Sequence, residues 1–407
     1  MRFSYYIAIH IYSLLISIAS LFSSKAKKRL SGQQQVFSLL EKSLIKNSDT
    51  KYVWFHAASL GEFEQGRPVI EALKKIHPEY QILLTFFSPS GYEVRKNYND
   101  ADLVCYLPLD TPRNAKRFVD LVKPAKIIFI KYEFWPNFLN YCKKKNIPVF
   151  VISATFRKSQ MFFKWYAWAY ANILKSFDCL YVQDEHSRIL LESINVSNVI
   201  VAGDTRFDRV SEITENSKVM PLIETFKNKQ KLIVVGSSWP KDEELIYKYL
   251  KDTKERLKII IAPHEIHESH LKDIESKLPV STVRFSNASP DELINARCLL
   301  IDSIGILSSI YKYADIAYIG GGFGVGIHNI LEPSAFRIPV VFGPNYAKFK
   351  EARDLIVLGG GFSVVDYIEL NSTFDWLLIH REAGDIGGDY VQQKRGATQK
   401  IIEGIFG

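Results

Sequence analysis

Short apolar runs that alternate with helical patterns constrain the fold of this chain more than any other feature. Between the first two runs, Val69, Ile70 and Leu73 recur at helical spacing, with charged residues off that stripe. Such alternation is typical of an open parallel sheet with helices on both faces. Two series of runs predict an α/β protein with two Rossmann-like domains. The runs lie at Val53–His56, Ile82–Phe86, Lys126–Ile130, Val149–Ser153 and Leu180–Gln183, then at Leu232–Gly236, Lys258–Ala262, Leu299–Asp302, Ala317–Gly320, Val340–Gly343 and Ser363–Val365.

The same pattern divides the 407 residues into four parts. A hydrophobic helix with a basic flank takes residues 1–30, and the two Rossmann-like domains take residues 31–210 and 211–389. The polar stretch Glu212–Gln230 is expected to link these domains. A final helix within residues 390–407 is expected to pack back on the N-terminal domain.

The N-terminus carries a stretch without formal charge, Ser4–Phe22, which is just long enough to cross a bilayer. Basic residues between 25 and 29 follow at once, and by the positive-inside rule they keep the rest of the chain cytoplasmic. Three tyrosines of the stretch would instead suit a helix lying in the interface. A cleaved signal peptide is the competing interpretation, but only Arg2 precedes the apolar run. We therefore expect an uncleaved anchor, either spanning or interfacial.

The charge balance predicts an anionic partner. Lys and Arg number 52 against 44 Asp and Glu, which leaves a net charge of +8. This excess suits phosphate-bearing lipid, a membrane surface, a nucleotide or a nucleic acid. Nucleic-acid binding would cluster basic and aromatic residues on one surface, whereas the aromatic residues here are spread through strands and helices as a core would be. We therefore expect no nucleic-acid partner.

A carboxylate at the end of the first strand is the first catalytic candidate. The strand runs into a loop that contains Ser59, Gly61 and Glu62. A glycine at such a turn allows the backbone to approach a ligand closely, and Glu62 could act as a general base on an acceptor hydroxyl. The structural alternative is that Glu62 only complements the helix dipole, an effect of about 0.3–1 kcal/mol.

A glycine-rich loop at Gly320–Gly326 follows a late strand of the second series. Its five glycines are costly unless the backbone must adopt positive φ or approach a ligand. Neither a P-loop nor a GxGxxG motif is present. Asn329 and Glu332, just beyond the loop, fit a helix N-cap and its N3 partner. The functional alternative is a helix N-terminus that meets a phosphate, with Glu332 accepting hydrogen bonds from ribose hydroxyls.

Other polar loops also follow predicted strands. They are Ser88–Gly91, Lys131–Pro136, Ser153–Arg157, Gly203–Asp208 and Gly236–Ser238. Any one of these loops could have its polar residues only because they favour turns. Ligands of open α/β sheets bind beyond the carboxyl ends of the strands, so the loops together favour a shared cleft. Lys131, Arg157 and Arg206 would line that cleft with positive charge.

No metal site is predicted. The histidines and glutamates of residues 264–270 do not have HExxH spacing, and a solvated loop that opens a helix explains them. Asp100 and Asp102 form a DxD motif, but it precedes a strand, so we interpret it as a loop. The four cysteines are far apart and form no CxxC pair, as expected for reduced thiols.

Several motifs in order give the chain a specific resemblance. They are HAASLGE at 56–62, SPSGYE at 88–93, YLPLD at 106–110, KYEFWPN at 131–137, GDTRFD at 203–208, GSSWPKDEE at 236–244 and HNILEPSAFRIPVVFGPNYAKFKEA at 328–352. With them the chain resembles the 3-deoxy-D-manno-octulosonic acid (Kdo) transferases of lipopolysaccharide assembly. The resemblance implies a GT-B glycosyltransferase, with two Rossmann-like domains facing a cleft. It implies transfer of Kdo from CMP-Kdo to a lipid A precursor at the cytoplasmic face of the inner membrane.

The resemblance also implies roles for particular residues. Glu62 matches the acidic residue that the family uses as catalytic base. Gly322 and Gly324 of the glycine loop match the segment that holds CMP, as do three residues beyond it, His328, Asn329 and Glu332. The residues expected to bind the acceptor or an anionic group are Ser59, Gly61, Lys131, Glu133, Arg157 and Arg206. Lys131 stands where the family has an acidic residue.

Further donor contacts are implied in the C-terminal half. Gly305 falls in a loop that resembles the family's D-T-x-G, and Ser237 lies in the GSSWPKDEE motif. Pro263 and His264 match a nucleotide-contacting loop that the family often writes P-R-H-P. Here that loop has no arginine.

The implied reaction is a single displacement with inversion that needs no metal and no cofactor besides the donor. Glu62 would deprotonate the acceptor hydroxyl, and CMP would leave as a phosphate anion held by backbone N–H groups. Inner-membrane phospholipid would hold the anchor. Two alternatives stand beside this prediction: a GT-B enzyme that uses a UDP-sugar on a lipid acceptor, and an inactive glycolipid-binding GT-B protein. The second predicts a missing base, yet Glu62 is present.

Overall fold

Two seven-stranded parallel sheets organise the computed structural model, which describes residues 2–44, 50–164 and 168–407. The first belongs to a unit made of Met1–Asp208 and Gly396–Gly407, and the second to a unit made of Arg209–Arg395. Every strand pairing in both sheets is parallel. Two α/β domains with parallel sheets are therefore confirmed.

The first sheet has the order β3-β2-β1-β4-β5-β6-β7. Its strands are β1 (Lys51–Ala57), β2 (Tyr80–Phe86), β3 (Leu103–Tyr106), β4 (Lys126–Ile130), β5 (Val149–Ala154), β6 (Cys179–Val182) and β7 (Val199–Val201). The helices are α1 (Arg2–Ala19), α2 (Ser24–Ser43), α3 (Leu60–Ile76), α4 (Pro89–Arg95), α5 (Pro112–Val122), α6 (Pro136–Lys144), α7 (Trp168–Leu174) and α8 (Glu185–Glu192). The central strands are buried on both faces, which is why they appear as continuous apolar runs.

The second sheet has the order β10-β11-β9-β8-β12-β13-β14. Its strands are β8 (Lys231–Ser238), β9 (Leu257–Pro263), β10 (Thr282–Arg284), β11 (Cys298–Leu300), β12 (Ile316–Ile319), β13 (Val340–Phe342) and β14 (Gly361–Ser363). The remaining helices are α9 (Thr205–Glu215), α10 (Pro221–Lys227), α11 (Pro240–Asp252), α12 (Glu268–Lys277), α13 (Pro290–Asn295), α14 (Leu307–Ile310), α15 (Leu331–Ala335), α16 (Lys350–Leu358), α17 (Tyr367–Leu377), α18 (Ala383–Gln393) and α19 (Ala397–Phe406).

Each sheet has a point near its centre where the strand order reverses. In the first sheet that point lies between β1 and β4, and in the second between β8 and β12. Ligands of open α/β sheets bind outside the carboxyl ends of the strands at such a point. The loops after these four strands are therefore the places where a site is expected.

The structure differs from the predicted elements in three respects. Strands β3, β7 and β10 are absent from the predicted runs, because each has only three or four residues, too few for periodicity to register, and lies at a sheet edge. The predicted linker Glu212–Gln230 contains helix α10, whose Ile223 and Phe226 are buried one turn apart. The single helix predicted within residues 390–407 is instead two helices, separated by Gly396 with φ +104°.

The final helix α19 packs against the first unit. Its Ile401, Ile402 and Ile405 join the core beneath α3 and β1. Two carboxylate oxygens of Asp208 accept hydrogen bonds from the N–H groups of Gly396 (2.6 Å) and Thr398 (2.7 Å). Asp208 therefore holds the start of α19 where the chain re-enters the first unit.

The N-terminal stretch forms helix α1, and much of its apolar surface is exposed. None of the described helices is both long and apolar enough to cross a membrane. Arg29, which belongs to the predicted basic flank, is buried. Its guanidinium lies 3.5 Å from the centre of the Phe87 ring and donates a hydrogen bond to Tyr12. Arg29 of α2 thus contacts both Phe87, which follows β2, and Tyr12 of α1, and the cation–π contact helps to fix these helices within the first unit.

A buried carboxyl group also connects α1 to the first sheet's domain. Asp110 accepts hydrogen bonds from the Tyr5 hydroxyl (2.8 Å) and from the N–H groups of Asn137 (3.1 Å) and Phe138 (3.0 Å) at the start of α6. Burial raises the pKa of Asp110 from 3.8 to about 6, although these donors oppose the shift.

We expect Asp110 to make the protein less stable as the pH rises from 4 to 7. The native state holds the proton more tightly than the unfolded chain, so the contribution is fully present below pH 3.8 and is lost as the pH rises through 6. Urea unfolding of wild type and Asp110→Asn should show a stability difference that falls by at most about 3 kcal/mol across this range. The exposed Asp291→Asn is the matched control. A pH-independent difference for Asp110→Asn would contradict the expectation.

Candidate functional site

The loop after β1 brings Glu62 to the reversal point of the first sheet. Ser59 caps α3 by accepting a hydrogen bond from the Glu62 N–H at 3.5 Å, and the Glu62 carboxylate accepts one from the Ala58 N–H at 2.6 Å. Gly61 is exposed, and a Cβ added there would meet no atom within 4 Å. The backbone beside Glu62 therefore borders open space.

The environment of Glu62 favours its protonated form. Burial is the larger cause that raises its pKa, and repulsion from Glu133 is the second. The hydrogen bond from Ala58 and the charge of Lys131 oppose the shift. A carboxylate with a raised pKa in a partly open loop is a suitable general base.

The loop after β4 places Glu133 beside the buried His56. The His56 Nε2 lies 3.0 Å from the Glu133 carboxylate, and the Trp135 indole N–H donates to the same oxygen at 2.8 Å. The other ring nitrogen of His56 lies 2.8 Å from the Thr85 hydroxyl. These contacts fix the orientation of Glu133 next to Glu62.

The three predicted cations gather near Glu62. Lys131 adopts φ +65° immediately after β4. Burial lowers its pKa, and the charges of Arg206 and Arg157 lower it further. Glu62 partly offsets these effects. The predicted acceptor-side residues are therefore neighbours at one edge of the first sheet.

Two of these cations differ in how they are held. Arg206 is oriented by Asp204, whose carboxylate accepts hydrogen bonds from its guanidinium at 2.7 and 2.9 Å. Arg157 is exposed, and its backbone N–H is bonded to the Gln160 side chain. One cation is thus preorganised by a carboxylate, whereas the other is exposed at the surface.

A buried carboxylate anchors the glycine loop in the second unit. Asp242 accepts hydrogen bonds from the Tyr318 hydroxyl and the Gly321 N–H, both at 2.8 Å, and from the Trp239 N–H at 3.0 Å. Burial raises the pKa of Asp242. Asp242 therefore ties the loop after β12 to the N-terminus of α11, which follows β8.

The glycines of this loop are required for different reasons. Gly321 has φ +90°, a conformation that favours glycine. Gly322 is buried, and a Cβ there would lie 2.5 Å from the N and Cα atoms of Gly343. Gly324 is exposed, and its added Cβ would meet no atom within 4 Å. The loop is thus tightly packed at Gly322 and open at Gly324.

A cavity of about 260 Å³ lies beside the glycine loop. Five predicted donor-side residues line it, together with three residues that were not predicted. The predicted ones are Ser237, Gly305, His328, Asn329 and Glu332, and the others are Leu307, Ser308 and Tyr311. This cavity lies at the carboxyl ends of β8 and β12, where the sheet topology places a ligand site.

An aromatic stack flanks the cavity. The rings of Trp239 and His264 are parallel with centroids 4.8 Å apart, and the His264 and His328 rings are 4.6 Å apart. The Trp239 indole N–H donates to Nε2 of His328 at 3.3 Å, so the proton of a neutral His328 lies on Nδ1. Burial lowers the pKa of His328, and the charge of His264 lowers it further. Flat rings of this kind provide a surface on which a base can stack.

Asn329 was predicted to be the N-cap residue of a helix, with Glu332 at its N3 position, but the helix begins one residue later. The N-cap position of α15 is Ile330, which has no side chain for capping. The Asn329 side chain instead accepts from the Leu331 N–H at 3.1 Å and donates to the Glu332 carboxylate at 3.0 Å. Asn329 thus orients Glu332 at the cavity wall.

Pro263, by contrast, lies outside the cavity lining. It is buried as the last residue of β9 and pairs with Ser238. His264, the next residue, is exposed, and its backbone N–H donates a hydrogen bond to the Ser238 carbonyl at 3.0 Å.

Within the described part of the chain, no group of three or more His, Cys, Asp or Glu side chains is arranged to hold a metal ion.

Sequence reasoning missed several residues that shape both sites. His56 and Trp135 lie within quoted motifs, but nothing in their spacing revealed that both contact Glu133. Trp239 is the N-cap residue of α11 and Asp242 is its N3 residue, which is the spacing of a capping box. The sequence did not reveal this motif, because its N-cap residue is usually serine or threonine.

Comparisons with known proteins indicate the family of this chain. The model of a family described as 3-deoxy-D-manno-octulosonic-acid transferase (kdotransferase) matches residues 28–209. A 3-deoxy-D-manno-octulosonic acid transferase of Aquifex aeolicus is 30% identical over 84% of this chain and 92% of its own length. A protein of the same name from Haemophilus influenzae is 27% identical over 86% of each chain.

Solved structures show the same architecture. UDP-GlcNAc 2-epimerase from Neisseria meningitidis, bound to UDP-GlcNAc, superposes with a TM-score of 0.60 at 16% identity. The match covers 86% of this chain and 98% of the epimerase. The likeness concerns the fold: two parallel-sheet α/β domains that resemble those of GT-B glycosyltransferases.

Proposed function

The chain belongs to the family of Kdo transferases, which are glycosyltransferases, and on this premise we propose that it transfers Kdo from CMP-Kdo to a sugar hydroxyl of a lipid A precursor in lipopolysaccharide biosynthesis. The observation that carries the proposal is Glu62 at the reversal point of the first sheet, with a raised pKa and three cations nearby. Such a site pairs a base for a hydroxyl with cations for an anionic substrate.

The reaction is a single displacement at the anomeric carbon of Kdo. The acceptor oxygen bonds to that carbon while the bond from the carbon to the phosphate oxygen of CMP breaks. The hydroxyl proton passes to Glu62, and the bonding electron pair leaves with CMP. Attack opposite to the leaving group inverts the configuration, and no metal takes part.

The cavity of the second unit is the proposed seat of CMP. Trp239 and the two stacked histidines offer faces to the base, and Glu332, oriented by Asn329, accepts hydrogen bonds from ribose hydroxyls. Backbone N–H groups at the open side of the glycine loop, near Gly324, stabilise the departing phosphate. Of these groups His328, Asn329 and Glu332 line the cavity, whereas Trp239 and His264 flank it and Gly324 lies in the neighbouring loop, so the roles follow from the chemistry of each group and from its position in or beside the cavity.

The acceptor side faces an anionic lipid. Lys131, Arg157 and Arg206 suit the phosphates of a lipid A precursor and the carboxylate of Kdo. Helix α1 exposes Ile11, Leu14 and other apolar side chains, and exposed lysines follow it at 25, 27 and 28. We place this helix in the interface of the inner membrane, at its cytoplasmic face, with phospholipid as its partner.

A donor-specificity assay tests the proposal. Membranes that contain the wild-type chain are supplied with tetra-acylated lipid A precursor and with either CMP-Kdo or UDP-GlcNAc. We expect a product that carries Kdo from the first donor and no product from the second. Transfer only from the UDP-sugar would replace the donor assignment, and no transfer from either donor would favour the inactive glycolipid-binding alternative.

A further inference from the structure

A second cavity, in the first unit, lies apart from Glu62 and its neighbours. Its volume is about 360 Å³, and it is lined by residues of α1, the start of α6, the short helical turn Met161–Phe163 and α7. Phe134, Leu139, Phe162 and Ile173 contribute much of its wall. A dry cavity of about 150 Å³ already admits benzene, so this one has room for a longer apolar group.

Three hydroxyl groups of the wall are bonded to other groups of the protein, and the wall also includes Asn137, Asn140 and Asn172. The Tyr5 hydroxyl donates to Asp110 at 2.8 Å, and the Tyr132 hydroxyl bonds to Thr155. The Ser176 hydroxyl donates to the Asn172 carbonyl at 3.4 Å across one helical turn. With these groups satisfied, the wall presents mainly rings and aliphatic carbon to an occupant.

One short segment connects the cavity with the site around Glu62. In this segment Lys131 and Glu133 lie close enough to Glu62 to influence its charge. The alternating residues Tyr132 and Phe134 line the cavity. At the other end the cavity reaches Tyr5 of α1, the helix whose apolar side chains are exposed. The cavity thus lies between the proposed base and the proposed membrane-facing helix.

We propose that this cavity binds an acyl chain of the lipid acceptor, an inference that rests on the proposed function. A soluble sugar would leave its apolar wall unused, whereas an acylated sugar has both a hydroxyl for Glu62 and a chain for the cavity. Burial of a few methylenes of that chain raises affinity by about tenfold or more. The cavity therefore distinguishes acylated from deacylated acceptors.

The test blocks the rim of the cavity. Asn140 and Asn172 line it and are exposed on α6 and α7, so Asn140→Trp and Asn172→Trp should fold normally. KM is measured for tetra-acylated precursor and for the same sugar after complete deacylation. We expect each variant to raise KM for the acylated acceptor about tenfold, with kcat and the KM of the deacylated acceptor unchanged.

The matched control is Lys175→Trp, which adds the same side chain at an exposed position outside the lining. A second measurement is independent of catalysis: the fluorescent fatty acid cis-parinaric acid should bind the wild-type chain, be displaced by the acylated precursor, and bind both rim variants at least about tenfold more weakly.

Three results would overturn the inference. One is an unchanged KM for the acylated acceptor in both rim variants. Another is an equal rise for both acceptors, which would mean that the tryptophans disturb the site of Glu62. The third is displacement of the fatty acid by phosphatidylglycerol but not by the precursor, which would make a bilayer lipid the occupant. Failure of the wild-type chain to transfer Kdo to either acceptor would instead reject the proposed function, and the displacement measurement would then decide about the cavity.

Discussion

Replacement of Glu62 with glutamine is expected to lower kcat for Kdo transfer by about 10²–10⁴-fold. Glutamine keeps a carbonyl oxygen that can accept the Ala58 N–H, so the start of α3 should remain intact. The variant cannot accept the hydroxyl proton, and that loss alone accounts for the effect. The measurement is kcat with CMP-Kdo and precursor, together with the melting temperature and CMP binding, both of which should match wild type.

The neighbouring Glu64→Gln provides the control for this variant. Glu64 lies on the same helix and pairs with Arg95 at 2.6 Å, outside the site of Glu62. The Glu64→Gln variant should retain wild-type activity.

The pH dependence of the wild-type rate provides a second measurement. Because burial raises the pKa of Glu62, the rate should fall on acidification at a higher pH than the ordinary pKa of glutamate would give. Full activity of Glu62→Gln would leave Glu62 with only its interaction with the dipole of α3.

Alanine at Gly322 is expected to lower the free energy of unfolding by about 1–3 kcal/mol and to weaken CMP-Kdo binding at least about tenfold. The added Cβ would lie 2.5 Å from backbone atoms of Gly343, so one of the two loops must move. That movement would shift the loop proposed to hold the phosphate. Thermal unfolding and titration with CMP measure the two effects.

Gly324→Ala is the matched variant in the same loop. Its Cβ would meet no protein atom within 4 Å, so the melting temperature should equal that of wild type. If CMP approaches the loop at this point, as we propose, binding should still weaken. Equal stability and equal CMP affinity in Gly322→Ala and wild type would contradict the packing argument.

The parallel sheets could be predicted because their central strands are buried on both faces and therefore appear in the sequence as uninterrupted apolar runs. The loops that follow β1, β4, β8 and β12 could be predicted for the same reason, since the topology brings the carboxyl ends of adjacent parallel strands to one edge. Short edge strands such as β7 could not be predicted from the sequence, because three partly exposed residues are too few to form a periodic pattern.

The contacts that orient the site residues lay beyond sequence reasoning. His56 is bonded to Glu133 across 77 positions of the chain, and Asp242 is bonded to Gly321 across 79. No local propensity encodes such pairs, because only the assembled sheet brings them together. The burial of Arg29 has the same origin: its cationic side chain suggested solvent or lipid, but the Phe87 ring supplies a favourable site.

The return of α19 to the first unit affects how the chain folds during synthesis. A ribosome makes the N-terminal residues first, and domains generally fold as they emerge. Here Ile401, Ile402 and Ile405 complete the core beneath β1 and α3, yet they are made after all of Arg209–Arg395. The second unit can therefore finish folding before the first, whose apolar surface beneath α3 stays uncovered until translation has passed residue 405. Nascent chains stalled before that point would be the species most in need of a chaperone.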